Sequence, residues 1–354
     1  MTDPRAPGEG VVVARPELGG GAAISSFRLA DGATAGAPGP AAPLSIGPQL
    51  FRWGERTHVM GILNITPDSF SGDGVLGGSN IPSAQTGIAA GAERDPDPVS
   101  MAVAIGRRMV DEGADLLDIG GESTRPGHDV IAAADEIARV VPVVRALRAA
   151  LPHTPLSIDT TKVAVAAVAL EAGADLINDV WGVTPDDDLL HLAAARGAPI
   201  VLMHNRAEAL YRNVMAEILA DLQRAIERAL AAGIAWDSII VDPGFGFGKT
   251  ASHNLILLRE LASLRVLGRP ILLGTSRKST LGKILDLPTD QRLEATLATT
   301  ALGVAAGVDI VRVHDVQPNV RAARMADAIV RTEPAHNAAP NSARQARLTE
   351  GDVS

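Results

Sequence analysis

The feature that most constrains this sequence is a regular alternation of short apolar runs with longer segments of helical periodicity. β-Branched apolar runs of this kind are typical of strands that are buried on both faces, and the segments between them carry apolar residues at helical spacing. This alternation indicates a parallel sheet whose strands are joined by crossover helices. The predicted strands are 59–65, 116–119, 155–158, 174–177, 199–203, 238–241, 270–273 and 308–313. The predicted helices are 100–112, 131–151, 162–172, 187–195, 213–232, 253–264, 293–306 and 316–330.

Eight strand–helix units in about 275 residues fit a (β/α)8 TIM barrel, typically of about 250 residues, better than a doubly wound sheet. Phrases similar to G-A-D-L recur at residues 113–116, 173–176 and 307–310, where each supplies a helix stop, a tight turn and a strand start. We therefore expect an α/β protein built as a TIM barrel.

The segments outside the barrel have a different composition. Residues 1–50 are rich in Ala, Gly and Pro, which predicts a loosely ordered leader. The sequence F-R-W-G-E-R-T at 51–57 predicts a small hairpin that turns at Gly54 and Glu55 and plugs one end of the barrel. We therefore place the barrel at 51–332 and a polar, disordered tail at 333–354, so that both termini are flexible.

Charge and cysteine content exclude several classes of function. The formal net charge is −9, which argues against nonspecific nucleic-acid binding and against adhesion to an anionic membrane. The chain has no cysteine, so disulfides and thiolate metal sites are excluded. No apolar run reaches the roughly 18 residues that a membrane-spanning helix needs, and the first residues lack a signal-peptide pattern. A cytoplasmic protein is expected.

Polar side chains stand at nearly every predicted strand end. Because TIM barrels carry their functional groups where strands lead into helices, we expect these side chains to converge on one mouth. Their mixture of carboxylates, amides and cations suits a small heterocycle with donors and acceptors and an attached anionic group. The residues are Asn64, Asp118, Asp159, Asn178, Asp179, His204, Asp242, Ser276, Lys278, Arg312 and His314.

Each residue type has a chemical reason to be there. A buried Asp242 carboxylate accepts two parallel N–H bonds from an amidine-like edge, and Asn178 both donates and accepts. Lys278 donates to a carbonyl as a point charge, whereas Arg312 stacks on a flat ring or meets phosphate. Arg312 and His314 lie at the eighth strand end, where barrels often bind phosphate.

The stretch at 238–249, S-I-I-V-D-P-G-F-G-F-G-K, joins a buried strand to a carboxylate and a glycine-rich loop. This arrangement is typical of the floor of a ligand site, although its spacing does not match a Walker loop. No histidine pattern for a structural metal occurs in the sequence. A hard cation such as Mg²⁺, shared between Asn64 and a substrate diphosphate, fits the remaining ligands.

Four of these residues also have purely structural interpretations, which the sequence leaves open. Asp118 lies beside glycines and either braces their loop or meets a ligand, and Asp179 fits a turn or helix cap better than a ligand contact. His204 fits a hydrogen-bonded core imidazole, and Lys249 fits a solvated side chain.

Taken together and in this order, the motifs resemble those of the dihydropteroate synthases, a family of pterin-binding (β/α)8 barrels. The resemblance covers about residues 51–332. The segments that carry it are M-G-I-L-N-I-T-P-D-S-F-S (60–71), D-I-G-G-E-S-T-R-P-G (118–127), S-I-D-T (157–160), I-N-D-V (177–180), L-M-H (202–204), V-D-P-G-F-G-F-G-K (241–249), S-R-K-S (276–279) and R-V-H-D-V (312–316).

The resemblance implies condensation of (7,8-dihydropterin-6-yl)methyl diphosphate with 4-aminobenzoate, which yields 7,8-dihydropteroate and pyrophosphate in folate biosynthesis. By the same resemblance the cofactor is Mg²⁺ held by Asn64, the enzyme is a homodimer, and sulfonamides compete with 4-aminobenzoate. The residues implied for the pterin are Asp159, Asn178, Asp242 and Lys278, with Met203 and Arg312 packing on its faces. Those implied for the diphosphate are Thr124, Arg125, Arg312 and His314, and those implied for the aminobenzoate are Pro126, Phe247 and Ser276. The expected catalytic residues are Lys278, Arg312 and His314, and the loops that carry residues 68–70 and 124–126 are the expected lids.

The sequence departs from the family pattern in two loops, and two other functions stay open at this point. The loop at 74–98 is longer than usual, and N-R-A-E-A-L-Y follows His204 in place of the usual M-x-G continuation. One alternative is a methyltetrahydrofolate–corrinoid methyltransferase, which would not need S-T-R-P or S-R-K-S. The other is a non-catalytic pterin-binding barrel, which would be expected to have lost Arg125, Lys278 or Arg312.

Overall fold

The computed structural model describes residues 40–65, 97–122, 131–183 and 186–331. Several sequence predictions lie outside these ranges: the leader up to residue 39, the tail at 333–354, nearly all of the loop at 74–98, and the loop positions 68–70, Thr124, Arg125 and Pro126.

Eight parallel strands form a nearly closed barrel, which confirms the predicted fold class. Adjacent strands pair in the order β8-β7-β6-β5-β4-β3-β10-β9, and a parallel bridge between Val241 and Ile271 joins the two ends of this sheet. The barrel strands are β3 His58–Asn64, β4 Leu116–Gly120, β5 Leu156–Asp159, β6 Leu176–Asp179, β7 Ile200–Met203, β8 Ile239–Asp242, β9 Leu272–Leu273 and β10 Ile310–Val313.

Helices follow the strands as predicted, with two differences. The predicted helix at 253–264 ends at Arg259 and continues as a 3₁₀ segment, Leu261–Leu267. An unpredicted short helix, Ser279–Leu285, follows β9, where a single apolar turn gives too little periodicity to be recognised. The α-helices of the described ranges are α1 Pro98–Asp111, α2 Ala133–Ala150, α3 Val163–Ala172, α4 Asp188–Arg196, α5 Val214–Ala231, α6 Ala251–Arg259, α7 Ser279–Leu285, α8 Leu293–Ala305 and α9 Val316–Val330.

A hairpin is present, but its predicted position at 51–57 is wrong. The two antiparallel strands are β1 Leu44–Ile46 and β2 Gln49–Phe51, and the chain turns at Gly47, whose φ of 53° is in the left-handed region that favours glycine. The prediction failed because Gly54 and Glu55 resemble a hairpin turn, although they lie in the connection to β3. The hairpin does plug the barrel, since Leu44, Ile46 and Phe51 pack against its interior.

The interior of the barrel follows the period of two that strands impose on side chains. One buried cluster joins the hairpin to one inward-facing side chain from nearly every strand: Met60, Leu116, Leu176, Val201, Ile240, Leu272 and Ile310. The residue two positions further along each strand faces the same interior, one layer nearer the carboxyl ends. Those residues are Ile62, Asp118, Asn178, Met203, Asp242, Gly274 and Arg312. The barrel is therefore apolar at the hairpin end and becomes polar at the end where strands lead into helices.

Candidate active site

A pocket with an empty volume of about 330 Å³ lies at this polar end of the barrel. It brings together Asp159, Asn178, Met203, Asp242, Phe247, Lys278 and Arg312, all of which were predicted as site residues. The same pocket is also lined by Val180, Phe245 and Gly274. Strand register explains part of this clustering of residues, because Asp159 on β5 lies directly beside Asn178 on β6.

Arg312 is held between two buried carboxylates at the base of the pocket. Its Nε donates to Asp118 Oδ2 and its Nη2 donates to Asp159 Oδ2, each at 2.6 Å. Asn178 Nδ2 donates to the same Asp118 oxygen at 3.1 Å. One carboxylate thus orients two of the pocket residues, while one oxygen each of Asp118 and Asp159 is buried without a hydrogen-bond partner among the described residues. A buried acceptor left unpaired in this way is suited to a ligand donor.

The electrostatics of this group follow from its burial. Burial raises the pKa of Asp159 to about 7, although the Arg312 guanidinium acts in the opposite direction. Burial opposes the charge on Arg312, yet the carboxylates of Asp118 and Asp159 raise its pKa above the usual value. At neutral pH Arg312 is therefore a cation, and Asp159 lies near half protonation, so that it offers either a donor or an acceptor.

Asp242 ends β8 and is fixed by the glycine-rich loop that follows. Its Oδ1 accepts the backbone N–H of Gly244 at 2.7 Å, and burial raises its pKa to about 6 against the effects of this bond and of Lys278. Gly244 has a φ of 68°, and a Cβ added there would overlap the His204 carbonyl oxygen. Only glycine fits at this position, so the loop stays close to the strand ends.

Lys278 and Phe247 form one wall of the pocket. The Lys278 ammonium lies 3.6 Å from the centroid of the Phe247 ring, a cation–π contact between two elements that are remote in sequence. Gly246 approaches the same lysine, since a Cβ at that glycine would lie 3.1 Å from Lys278 Cδ. The aromatic loop and the loop after β9 are thus packed directly on each other.

Ser276 and His314 pair with each other and do not line the pocket itself. Ser276 Oγ accepts the backbone N–H of His314 at 3.2 Å and lies 3.0 Å from its Nδ1. Both residues stand two positions from pocket residues, Ser276 before Lys278 and His314 after Arg312. They therefore border the pocket on the β9–β10 side.

Asn64 lies at the end of β3, in register with Gly120, which in turn is in register with Asp159. A Cβ at Gly120 would be 3.5 Å from Asn64 Oδ1 and 3.6 Å from Asp159 Cβ, so the amide oxygen lies at the rim beside Asp159. In the described ranges no three His, Cys, Asp or Glu side chains cluster closely enough to hold a metal ion. A single amide oxygen at a rim fits Mg²⁺, because this ion usually keeps several waters and binds substrate phosphates.

Hydrogen bonds bear on three of the four open structural interpretations. Asp118 holds Arg312 and Asn178 rather than the neighbouring glycine loop, and its second oxygen leaves a ligand contact open. Asp179 accepts the backbone N–H of Trp181 at 2.9 Å, as expected for a turn residue. His204 is a core imidazole, fully buried, with Nε2 3.0 Å from Asp221 Oδ2.

The solvated interpretation of Lys249 is wrong. Its ammonium lies 3.0 Å from His204 Nδ1 and also donates to the carbonyls of Gly244 and Phe247 at 3.0 Å. Sequence reasoning missed this contact because nothing in the sequence places Lys249 under the loop that it follows. The inward-facing position of Asp118, in contrast, follows from strand spacing, since it stands two residues after Leu116, as Asn178 stands two after Leu176. Its partners do not follow from that spacing.

A parallel (β/α)8 barrel with a charged pocket at its carboxyl end defines the class of barrel enzymes that bind a small molecule across the strand ends. The sequence profile of the pterin-binding enzymes matches residues 90–314. The dihydropteroate synthase of Clostridium beijerinckii is 46% identical over 289 residues, which cover 81% of this chain and all of that protein. The dihydropteroate synthase of Bacillus subtilis is 42% identical over 82% of this chain and 94% of its own length.

Solved structures agree with these relatives. A dihydropteroate synthase from Clostridium difficile, crystallised in the presence of pteroic acid, superposes with a TM-score of 0.72 at 44% identity and covers 80% of this chain and all of that chain. The Xanthomonas albilineans dihydropteroate synthase in complex with 7,8-dihydropteroate has a TM-score of 0.70 at 36% identity, covering 83% of this chain and all of its own. The chain therefore belongs to the pterin-binding enzymes, and among them to the dihydropteroate synthases.

Proposed function

We propose that this chain condenses (7,8-dihydropterin-6-yl)methyl diphosphate with 4-aminobenzoate, giving 7,8-dihydropteroate and pyrophosphate. The observation that carries this proposal is the meeting of Asp159, Asn178, Asp242, Lys278 and Arg312 in one pocket. These residues come from separate strands and loops, and together they offer donors, acceptors and a stacking cation to one flat, polar bicycle.

Four of these residues recognise the pterin ring. Asp242 accepts two parallel N–H bonds from the aminopyrimidine edge, the strongest geometry available to a carboxylate. Asn178, held by Asp118, donates and accepts at neighbouring ring atoms. Asp159 offers the ring its second oxygen, which has no hydrogen-bond partner within the described ranges. Lys278 donates to the ring carbonyl. The hydrocarbon side chain of Met203 and the guanidinium plane of Arg312 enclose the faces of the ring.

The chemical step breaks the bond between the exocyclic methylene carbon and the diphosphate oxygen, and the electron pair leaves with pyrophosphate. Arg312 and His314 neutralise the charge that develops on this leaving group, while the electron-rich pterin spreads the positive charge left on the methylene. Thr124 and Arg125 complete the anion site in this proposal. The Ser276 hydroxyl beside His314 Nδ1 orients the imidazole toward this side of the pocket.

The amine nitrogen of 4-aminobenzoate then forms the new bond to the methylene carbon and releases a proton. Because an aromatic amine is a weak base, this step needs little help from a general base, and the site acts mainly by orienting the two reactants and excluding water. Phe247 supplies an apolar face to the aminobenzoate ring, with Pro126 and Ser276 as further contacts.

We propose Asn64 as the Mg²⁺ ligand of the protein, with the substrate diphosphate as the main partner of the ion. Bound there, Mg²⁺ supplies Lewis-acid stabilisation of the departing pyrophosphate. The support is the amide oxygen of half-buried Asn64 near Asp159, an oxygen donor of the type that a hard cation binds together with substrate phosphate.

A turnover assay tests the function. The purified chain is expected to release pyrophosphate only when the pterin diphosphate, 4-aminobenzoate and Mg²⁺ are all present, and a sulfonamide should compete with 4-aminobenzoate. Arg312→Met should abolish release, whereas Arg321→Met, at an exposed position of α9, serves as the matched control. Release at an equal rate without the amine acceptor would contradict the proposed coupling.

We also propose that the enzyme is a homodimer. Three large apolar side chains on the packed helices α8 and α9 are mostly exposed: Leu302 at 62%, Met325 at 63% and Ile329 at 67%. Several exposed apolar side chains on a pair of packed helices are typical of a subunit interface. Met325→Glu should give a monomer in sedimentation or light-scattering measurements, and Leu230→Glu on α5 is the control; an unchanged mass for Met325→Glu would exclude this face.

In the parts of the chain that the structure describes, no helix has the length and hydropathy to cross a bilayer. The cytoplasmic location stays a prediction from the sequence.

A further inference from the structure

Lys249 is half-buried beside the pocket, and the proposed reaction does not use its contacts. Its Nζ is 3.0 Å from each of three acceptors: His204 Nδ1, the Gly244 carbonyl and the Phe247 carbonyl. The His204 carbonyl is a fourth acceptor at 3.5 Å, so the three N–H bonds of an ammonium group are shared among four acceptors. Even partial burial of an ammonium is costly, and burial lowers the pKa of Lys249 to about 7.

Lys249 binds the glycine-rich loop at both ends of one turn. Phe247 N–H donates to the Gly244 carbonyl at 3.1 Å, and Lys249 binds the carbonyls of these same two residues. One end of the turn is therefore tied to Asp242, whose carboxylate accepts the Gly244 N–H. The other end carries the Phe247 ring that packs against Lys278.

The third partner, His204, connects Lys249 to the charged pair Asp221 and Arg206. Because the ammonium donates to His204 Nδ1, the other ring nitrogen, Nε2, carries the proton and donates to Asp221 Oδ2 at 3.0 Å. Asp221 also pairs with Arg206 at 2.7 Å. The imidazole is therefore fixed in one tautomer and holds the ammonium under the loop.

From this geometry we infer that Lys249 is a positioning residue for the proposed reaction: it holds the Gly244–Phe247 turn so that the Phe247 ring is placed for the aminobenzoate and the Asp242 carboxylate for the pterin. The inference rests on the proposed function for its substrates. Lys249 itself does not line the pocket, so it acts through the two groups that do. If the ammonium is lost, the turn keeps its backbone bond and the bonds from Gly244 N–H to Asp242 and from Gly246 N–H to the Asn254 amide oxygen. The carbonyls of Gly244 and Phe247 then lose the donor that they share, and the Phe247 end of the turn is held less firmly.

Steady-state kinetics of Lys249→Met test this role, with Lys283→Met on the exposed face of α7 as the matched control. Lys249→Met is expected to raise KM for 4-aminobenzoate by about tenfold, with a smaller change in kcat, because ground-state placement is lost more than chemistry. In a double-mutant cycle with Phe247→Leu the two effects on KM should be non-additive, since one residue acts through the other. Additive effects, or an unchanged KM, would overturn the inference.

A second measurement does not depend on turnover. In protein labelled with 4-fluorophenylalanine, the Phe247 ¹⁹F signal, assigned with Phe247→Leu, should shift or broaden in Lys249→Met. The signal of Phe51, at the opposite end of the barrel, should stay unchanged. If Lys249→Met does not fold, Lys249→Gln replaces it and should show the same changes in smaller degree, since an amide keeps two of the three N–H donors.

The outcomes separate the inference from the proposed function. Wild-type protein without turnover would refute the function, whereas wild-type turnover with an unchanged Phe247 signal and KM in the variant would refute the role of Lys249 alone. A shifted Phe247 ¹⁹F signal with an unchanged KM for 4-aminobenzoate would also overturn the inference, because Lys249 would then only stabilise the loop.

Discussion

Asp118 and Arg312 lie 194 positions apart in the sequence and are joined by a 2.6 Å bond from the guanidinium Nε to a fully buried carboxylate oxygen. The same oxygen holds Asn178, so one side chain orients two groups proposed to contact the pterin. We expect Asp118→Asn to lower kcat/KM by about 100-fold, the loss that a displacement of about 1 Å at a reacting centre can cause.

The measurement for Asp118→Asn is steady-state kinetics together with urea unfolding. Exposed Asp290→Asn is the control for a charge change alone. Wild-type kcat/KM in a folded Asp118→Asn protein would show that Arg312 is oriented by Asp159 without help.

Asp242→Ala should weaken pterin binding strongly. The variant removes a charged acceptor from buried ring donors, and hydrogen bonds to charged groups contribute about 1.5–3 kcal/mol each. Calorimetric titration with a pterin ligand measures this loss directly. Binding at wild-type affinity would refute the role of Asp242, and Asp290→Ala should leave the affinity unchanged.

The free energy of unfolding should depend on pH through Asp242. Burial raises its folded pKa from 3.8 to about 6, so its stabilising contribution is complete below pH 3.8 and is lost as pH rises to about 6. Replacement by Asn removes this dependence. The free energy of unfolding of Asp242→Asn minus that of wild type should therefore rise by about 2 kcal/mol from pH 4.5 to pH 7.5. Urea unfolding at the two values measures the difference, and a constant difference would contradict a raised pKa.

Pterin affinity should change with pH in the opposite direction. Only the ionised Asp242 accepts two N–H bonds, so binding should strengthen as pH rises through about 6. Calorimetry on wild type and on Asp242→Asn at the same pH values tests this expectation. An equal pH dependence in both proteins would assign the titration to another group, such as Asp159, which lines the same pocket and has a pKa of about 7.

Two glycine substitutions separate backbone conformation from steric overlap. Gly197 and Gly244 both have φ in the left-handed region, at 61° and 68°, but an added Cβ meets nothing within 4 Å at Gly197 and overlaps the His204 carbonyl at Gly244. Gly197→Ala should cost about 1–2 kcal/mol of unfolding free energy, the penalty of the conformation alone. Gly244→Ala should cost clearly more, and equal costs in urea unfolding would contradict the close approach of the loop to β7.

Local sequence patterns were sufficient to predict most strands and helices and most residues of the candidate site. The strands and helices follow from apolar periodicity, and the polar residues at strand ends follow from the alternation of side chains along a strand. Asn178 and Asp242 were recognisable because each ends an apolar run. The hairpin was misplaced and the short helix α7 was missed, since a few residues carry too little periodic signal to outweigh tertiary packing.

The sequence by itself determined the barrel, the end of it that carries chemistry, and the family to which the chain belongs, because these depend on residue types at short and regular spacings. Only the tertiary structure decided that Asp118 braces Arg312 and Asn178, and that Lys249 lies half-buried against His204 and the carbonyls of the aromatic loop. Such contacts join residues that are remote in the chain, and closing the sheet into a barrel is what brings them within hydrogen-bonding distance.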